Sequence, residues 1–214
     1  MGKVVIIEAE TPQAREEEGV DVDTFLLTHP SGVYTVFRTL NVTSVVDYSE
    51  HVSRLERSLR GKSQWPKGMT ASKLEEAFRE ACSRAIFSGR DVLFSSGQTS
   101  ELRVTALIVD PETLSFATMT EKLPSVAAGP VAVEVWKAKR ETPGVKDSEW
   151  VRARKHMKDR THDQPRVNEV IIQSAEDGDS LLEGLSSNFF AVESGGIVVT
   201  APEGTVLSGT VRTM

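Results

Sequence analysis

The 214-residue sequence has one cysteine, only 6% aromatic residues, no excess of positive charge and no long apolar run. A single thiol, Cys82, forms no internal disulfide and no cysteine-based zinc site. It falls in a helical apolar pattern and reads as a buried structural thiol, which favours the cytoplasm. The opening MGKVVIIEAETP carries one basic residue and an apolar run too short for a secretory leader. No later stretch approaches the roughly 18 apolar residues of a membrane span, so no membrane partner is expected. Against 25 Lys and Arg stand 31 Asp and Glu, a formal net charge of −6, which argues against a dedicated nucleic-acid binder. Gly and Pro, at 15 and 9, are too few for a collagenous or low-complexity chain.

What is present is a globular composition, 39% hydrophobic and 26% charged, in a chain long enough to bury a core. Residues Lys3 to Glu10 read as a strand, Glu16 to Glu18 as a loop or solvated face, and Val33 to Leu40 as a half-buried strand. The period then lengthens. Asp47 to Leu59 reads as a helix with Asp47 and Glu50 as a capping pair, and SKLEEAFREACSRAIF as a second with Ser72 and Glu75 as its capping box. The segments DVLFSS, LRVTALIVD, LSFATMT and PVAVEVWKA read as successive strands, giving an α+β first half with an antiparallel sheet. The polar stretch from Lys137 to Trp150, with its Pro-Gly pair, reads as an interdomain connection. The expected domains are therefore 1–136 and 151–214, joined by 137–150. Beyond it lie a basic helical stretch (Trp150 to Arg160), the strands VNEVII and SLLEG, the hairpin NFFAV/GIVVT and a closing TVLSGTVR.

Four groups could carry chemistry. His51 and Arg54 sit one turn apart on one helix, and the planar fork of an arginine suits a phosphate; a solvated helix face fits the same residues. In TVLSGTVR, a glycine between hydroxyl residues could expose backbone amides to an anion, or simply make a turn. Glu183 ends an apolar strand, where burial would demand a cationic or protonated partner, although an exposed turn glutamate fits equally. Lys155 lies among Arg152, Arg154 and Lys158, cations that can lower an amine pKa and favour Schiff-base chemistry; such a run also makes an ordinary solvated surface.

Together, EHVSRLERSL, LLEGLSSNFFAV and TVLSGTVR, in that order, resemble the signatures of the class IV aminotransferases, the fold type IV pyridoxal phosphate enzymes. That group includes branched-chain aminotransferases, D-amino acid transaminases and aminodeoxychorismate lyases. The resemblance runs from about Val33 to Met214. It implies a two-domain α+β fold, with a small α/β domain and a barrel-like large domain.

It also implies roles. Arg54 matches the helix arginine that binds the cofactor phosphate, and Gly209, Thr210 and Val211 match the loop whose amides hold the same group. Glu183 matches the carboxylate on the pyridine nitrogen. Lys155 is the best match to the Schiff-base lysine, with Lys158 next. Lys155 precedes Glu183 by 28 residues, less than the usual family spacing, which a helix shorter by roughly seven residues would explain. The implied activity is transamination between an amino acid and a 2-oxo acid, in a homodimer, with lyase-type elimination or an inactive scaffold as alternatives. Two departures stand out. Val211 replaces a hydroxyl residue of the family loop, and only Thr213 and Met214 follow Arg212, so the large domain is expected to be incomplete.

Overall fold

The computed structural model describes residues 2–11, 13–94, 100–125, 129–163 and 167–209. The chain divides into two compact units: Met1–Val126 with Lys146–Glu149, and Ala127–Val145 with Trp150–Met214.

Unit 1 is built on a six-stranded antiparallel sheet in the order β2-β1-β6-β5-β3-β4. Its strands are β1 (Lys3–Ile7), β2 (Ala14–Glu18), β3 (Tyr34–Leu40), β4 (Ser44–Val45), β5 (Leu102–Asp110) and β6 (Ser115–Lys122). The β-branched run of β5 is central and buried on both faces, as its near-continuous apolar character requires. Helix α1 (Val22–Thr28) buries Phe25 and Leu26. Helices α2 (Tyr48–Gly61) and α3 (Ala71–Leu93) share the main core with the sheet: Leu55 and Leu59 from α2, Leu74, Phe78, Ala85 and others from α3, and Val104 and Ala106 from β5. The helical spacing of these positions makes one apolar stripe per helix.

Unit 2 carries a three-stranded sheet, β7-β8-β9, in which β7 (Val133–Ala138) runs parallel to β8 (Glu169–Ser174) and β9 (Leu181–Gly184) antiparallel to it. Helix α4 (Ser148–Ala153), whose first two residues count with unit 1, and α5 (Lys155–Asp163) precede β8, and a short hairpin pairs β10 (Ala191–Val192) with β11 (Val198–Val199). Met157, Val170, Ile172 and Leu185 form the small core. No closed barrel occurs among the described residues.

Several local expectations are corrected. Glu16 to Glu18 is no loop but part of β2, an edge strand whose charges face solvent, a usual protection for an open edge. Asp91 to Leu93 continues α3 instead of starting a strand, because Leu93 extends the buried stripe. The cap of α3 is Thr70, which accepts from the Lys73 amide, and not Ser72. Asp47 precedes α2 in the left-handed region (φ 54°) and makes no side-chain cap bond. Helix α1, capped by Asp21, went unread. The strand at Val133–Ala138 joins the unit 2 sheet, where its partner β8 lies far along the chain. The basic helix breaks at Arg154, which is buried and donates to the Leu185 carbonyl.

Candidate active site

Within unit 1, α2 turns His51, Arg54 and Ser58 to one side, and all three are buried. His51 Nδ1 lies 2.7 Å from the Thr35 hydroxyl. Burial, with the cations of Arg54 and Lys146 nearby, lowers the His51 pKa to about 4, so the ring is neutral at physiological pH. Burial also pulls the Arg54 guanidinium below its ordinary value; Arg57 adds repulsion, while Glu50 and Tyr34 oppose it.

The second cation of this cluster arrives from far along the chain. Residues Lys146–Glu149 are stitched to the entry of β3: Tyr34 N donates to the Lys146 carbonyl at 3.1 Å, Ser148 N to the Gly32 carbonyl at 3.0 Å, and Gly32 N to Ser148 Oγ at 3.1 Å. Val33 and Asp147 form an isolated antiparallel bridge. Position 32 admits no side chain, since a Cβ there would stand 2.3 Å from the Ile108 carbonyl oxygen. Lys146 N donates to Ser58 Oγ at 3.0 Å, one turn beyond Arg54, and the Lys146 amine lies 4.9 Å from the centre of the Tyr34 ring. An ion pair from Lys62 to the buried Asp147, at 2.8 Å, secures the next residue. A guanidinium and a primary amine thus reach one polar cluster around a neutral histidine. This donor set suits a phosphate and an aldehyde.

Sequence reasoning missed Lys146. It stands outside the basic run, and only the pairing of residues 32–34 with 146–148 brings it to α2. The available signal was its place between Gly144 and the helix that starts at Ser148.

In unit 2, Glu183 is 5% exposed at the end of β9. Its Oε1 accepts from Arg140 Nη1 at 2.9 Å and its Oε2 from the Leu207 amide at 3.1 Å. Arg140 also donates to the Val145 carbonyl at 2.6 Å and lies 5.2 Å from the Trp150 ring centre, a second residue that sequence reasoning missed. Gly209 is packed so closely that a Cβ would meet Asn188 Oδ1 at 2.2 Å, and Asn188 in turn donates to the Leu207 carbonyl. Thr210 and Val211 lie outside the described residues. Lys155 opens α5, is 58% exposed and pairs with Asp159 one turn on, at 2.7 Å. Lys155 and Glu183 therefore engage different partners, and Arg54 belongs to the other unit. Lys158 is half-buried on the same helix as Lys155.

Among the described residues no group of three His, Cys, Asp or Glu could hold a metal ion, and no helix is long and apolar enough to cross a membrane. No family model matches the sequence, and no curated protein sequence matches it. Solved structures do match. A fold IV transaminase from Curtobacterium pusillum superposes with a TM-score of 0.67, at 17% identity over 99% of this chain and 76% of that one. The chain has the class IV aminotransferase fold. An aminotransferase of that fold from Brucella abortus, bound to the cofactor PLP, matches with a TM-score of 0.64 at 17% identity, over 99% of this chain and 76% of its own. A branched-chain aminotransferase from Thermoproteus uzoniensis, with norvaline, matches with a TM-score of 0.61 at 22% identity, over 98% and 72%.

Proposed function

We propose that the protein is a pyridoxal phosphate-dependent enzyme of fold type IV that exchanges an amino group between an amino acid and a 2-oxo acid, and that its reactive amine is Lys146 in place of Lys155. The observation that carries the proposal is the Lys146 amine over Tyr34, with its backbone fixed to Ser58 one turn from the buried Arg54. Lys155, by contrast, is neutralised by Asp159 in solvent.

In this reading Arg54 binds the cofactor phosphate through its planar fork. Lys146 would hold the cofactor through its aldehyde, and its free amine would take the substrate α-proton as general base. His51 stays uncharged beside them and so adds no third positive charge to raise the cost of bringing two cations together. Bound pyridoxal phosphate supplies an electron sink for the charge left on the substrate α-carbon. Glu183 would keep the role the resemblance implies, toward the pyridine nitrogen; Arg140 and the Leu207 amide fix its carboxylate in one orientation and leave lone pairs over. Gly209, Thr210 and Val211 keep the phosphate role the resemblance implies. A homodimer in the cytoplasm belongs to the same proposal.

The test is to mix the purified protein with pyridoxal phosphate, reduce it with borohydride and map the modified peptide by mass spectrometry. Label on the peptide containing Lys146 is expected. Label on Lys155 alone would return the amine to α5, and no label at all would remove the enzyme reading in favour of an inactive scaffold. Product analysis with a panel of amino acids then separates transamination, which releases a 2-oxo acid, from lyase-type elimination.

A further inference from the structure

A cavity of about 230 Å³ opens in unit 1 between α3 and β6, next to the end of β1 and the turn before β6. At about 30 Å³ per water it has room for about seven waters. Its lining is mixed, slightly more polar than apolar, with Ile7, Leu114 and Phe116 beside Thr113, Ser115 and Thr118. Two polar groups on these walls have no partner among the described residues. Arg84 Nη2 is buried and makes no hydrogen bond, and Thr118, 2% exposed, has a hydroxyl with no hydrogen-bond partner. Leaving such groups unsatisfied costs about 1–3 kcal/mol each, more for a charged one, so both favour an acceptor brought in from outside.

The two donors converge on one kind of acceptor. A guanidinium and a hydroxyl together suit an oxyanion, and the side chains of Ile7, Leu114 and Phe116 on the same lining offer contact to a small hydrocarbon body. Glu80, the only other charged residue on the lining, stands one turn before Arg84 and brings the local charge to zero. That balance disfavours a multiply charged anion such as phosphate and leaves a singly charged one. We propose that this cavity is a binding site for a small monocarboxylate with an apolar body, seated with its carboxylate on Arg84 and the Thr118 hydroxyl. None of the residues assigned to the cofactor lines it.

The experiment titrates the full chain, without pyridoxal phosphate, with sodium 3-methylbutanoate at constant ionic strength, followed by calorimetry. Saturable millimolar binding is expected. Arg84→Met is expected to weaken it about tenfold, the value of one charged hydrogen bond. Thr118→Val, which keeps the shape and removes the donor, is expected to weaken it about threefold and carries the test should Arg84→Met fail to fold. Arg79→Met, at an exposed i,i+4 pair on the same helix, leaves it unchanged. The uncharged 3-methylbutan-1-ol binds at least about tenfold more weakly. Absence of saturable binding, undiminished binding by both Thr118→Val and folded Arg84→Met, or equal affinity for the alcohol overturns the proposal. Because cofactor is absent throughout, the outcome is independent of whether Lys146 reacts with pyridoxal phosphate.

Discussion

The Lys146 ammonium sits over the face of Tyr34, 4.9 Å from the ring centre, while the backbones of the same two residues share a hydrogen bond. One residue pair thus fixes both the path of the chain and the direction of the amine. Tyr34→Phe keeps the ring and should change stability by less than about 0.5 kcal/mol. Tyr34→Leu removes the cation–π contact and part of the packing, with an expected loss of about 1–2 kcal/mol in urea unfolding. Equal losses for the two variants would assign the effect to the hydroxyl instead.

Lys146→Ala should abolish the visible band that pyridoxal phosphate gives when bound, while Lys155→Ala should leave it in place. Absorption spectra of the two purified variants at matched cofactor concentration decide the matter. A band lost in Lys155→Ala and kept in Lys146→Ala would reverse the assignment.

His51 links stability to pH. Its folded pKa of about 4 lies below the ordinary 6.5, so the unfolded chain takes up the proton first. This contribution is complete above pH 6.5 and is lost as pH falls toward 4, by up to about 3 kcal/mol. Unfolding midpoints measured between pH 7 and 4 should fall for the natural protein and fall less for His51→Gln. Parallel profiles would show that other groups set the acid limit.

The buried pair of Arg140 and Glu183, at 8% and 6% side-chain exposure, invites a double-mutant cycle. Glu183→Gln leaves the guanidinium without its counter-charge, and about 3 kcal/mol of stability is expected to go. Arg140→Met combined with Glu183→Leu should recover most of that loss, since a matched apolar pair leaves no buried charge. A double variant no more stable than Glu183→Gln would mean that the Leu207 amide, not Arg140, is the chief partner.

Much of this was legible in the sequence. The β-branched run of β5 and the apolar stripe of α3 report their own burial, because each pattern has the period of its element. Arg54 and Glu183 stood open on local pattern, since a solvated helix face and an exposed turn fitted them as well, and only the fold buries both. Lys146 did not, because its setting is made by Gly32, Val33 and Tyr34, more than a hundred residues earlier. Lys155 drew attention through its cationic neighbours, yet Asp159, one turn on, neutralises it and the helix turns it to water. The break at Arg154 was equally hidden: nothing in VRARKHMKDR announces that one arginine of the series bonds a carbonyl 31 residues later.

Gly32→Ala should be costly despite its small size. The added Cβ would fall 2.3 Å from a backbone oxygen that no rotamer change can move. A loss of about 2–3 kcal/mol is expected from forcing the strands apart, read as a lower melting temperature. A variant as stable as the natural protein would show that this corner yields freely.

Residues Lys146–Glu149 fold with the first unit although the segments on either side of them belong to the second. Protein engineers who split the gene at residue 136 would therefore obtain a first half bearing Arg54 but stripped of the short stretch that caps the backbone of Gly32 and Tyr34. Those exposed amides and carbonyls would seek another chain, so the severed half should clump in solution until a synthetic peptide spanning 144–150 is supplied.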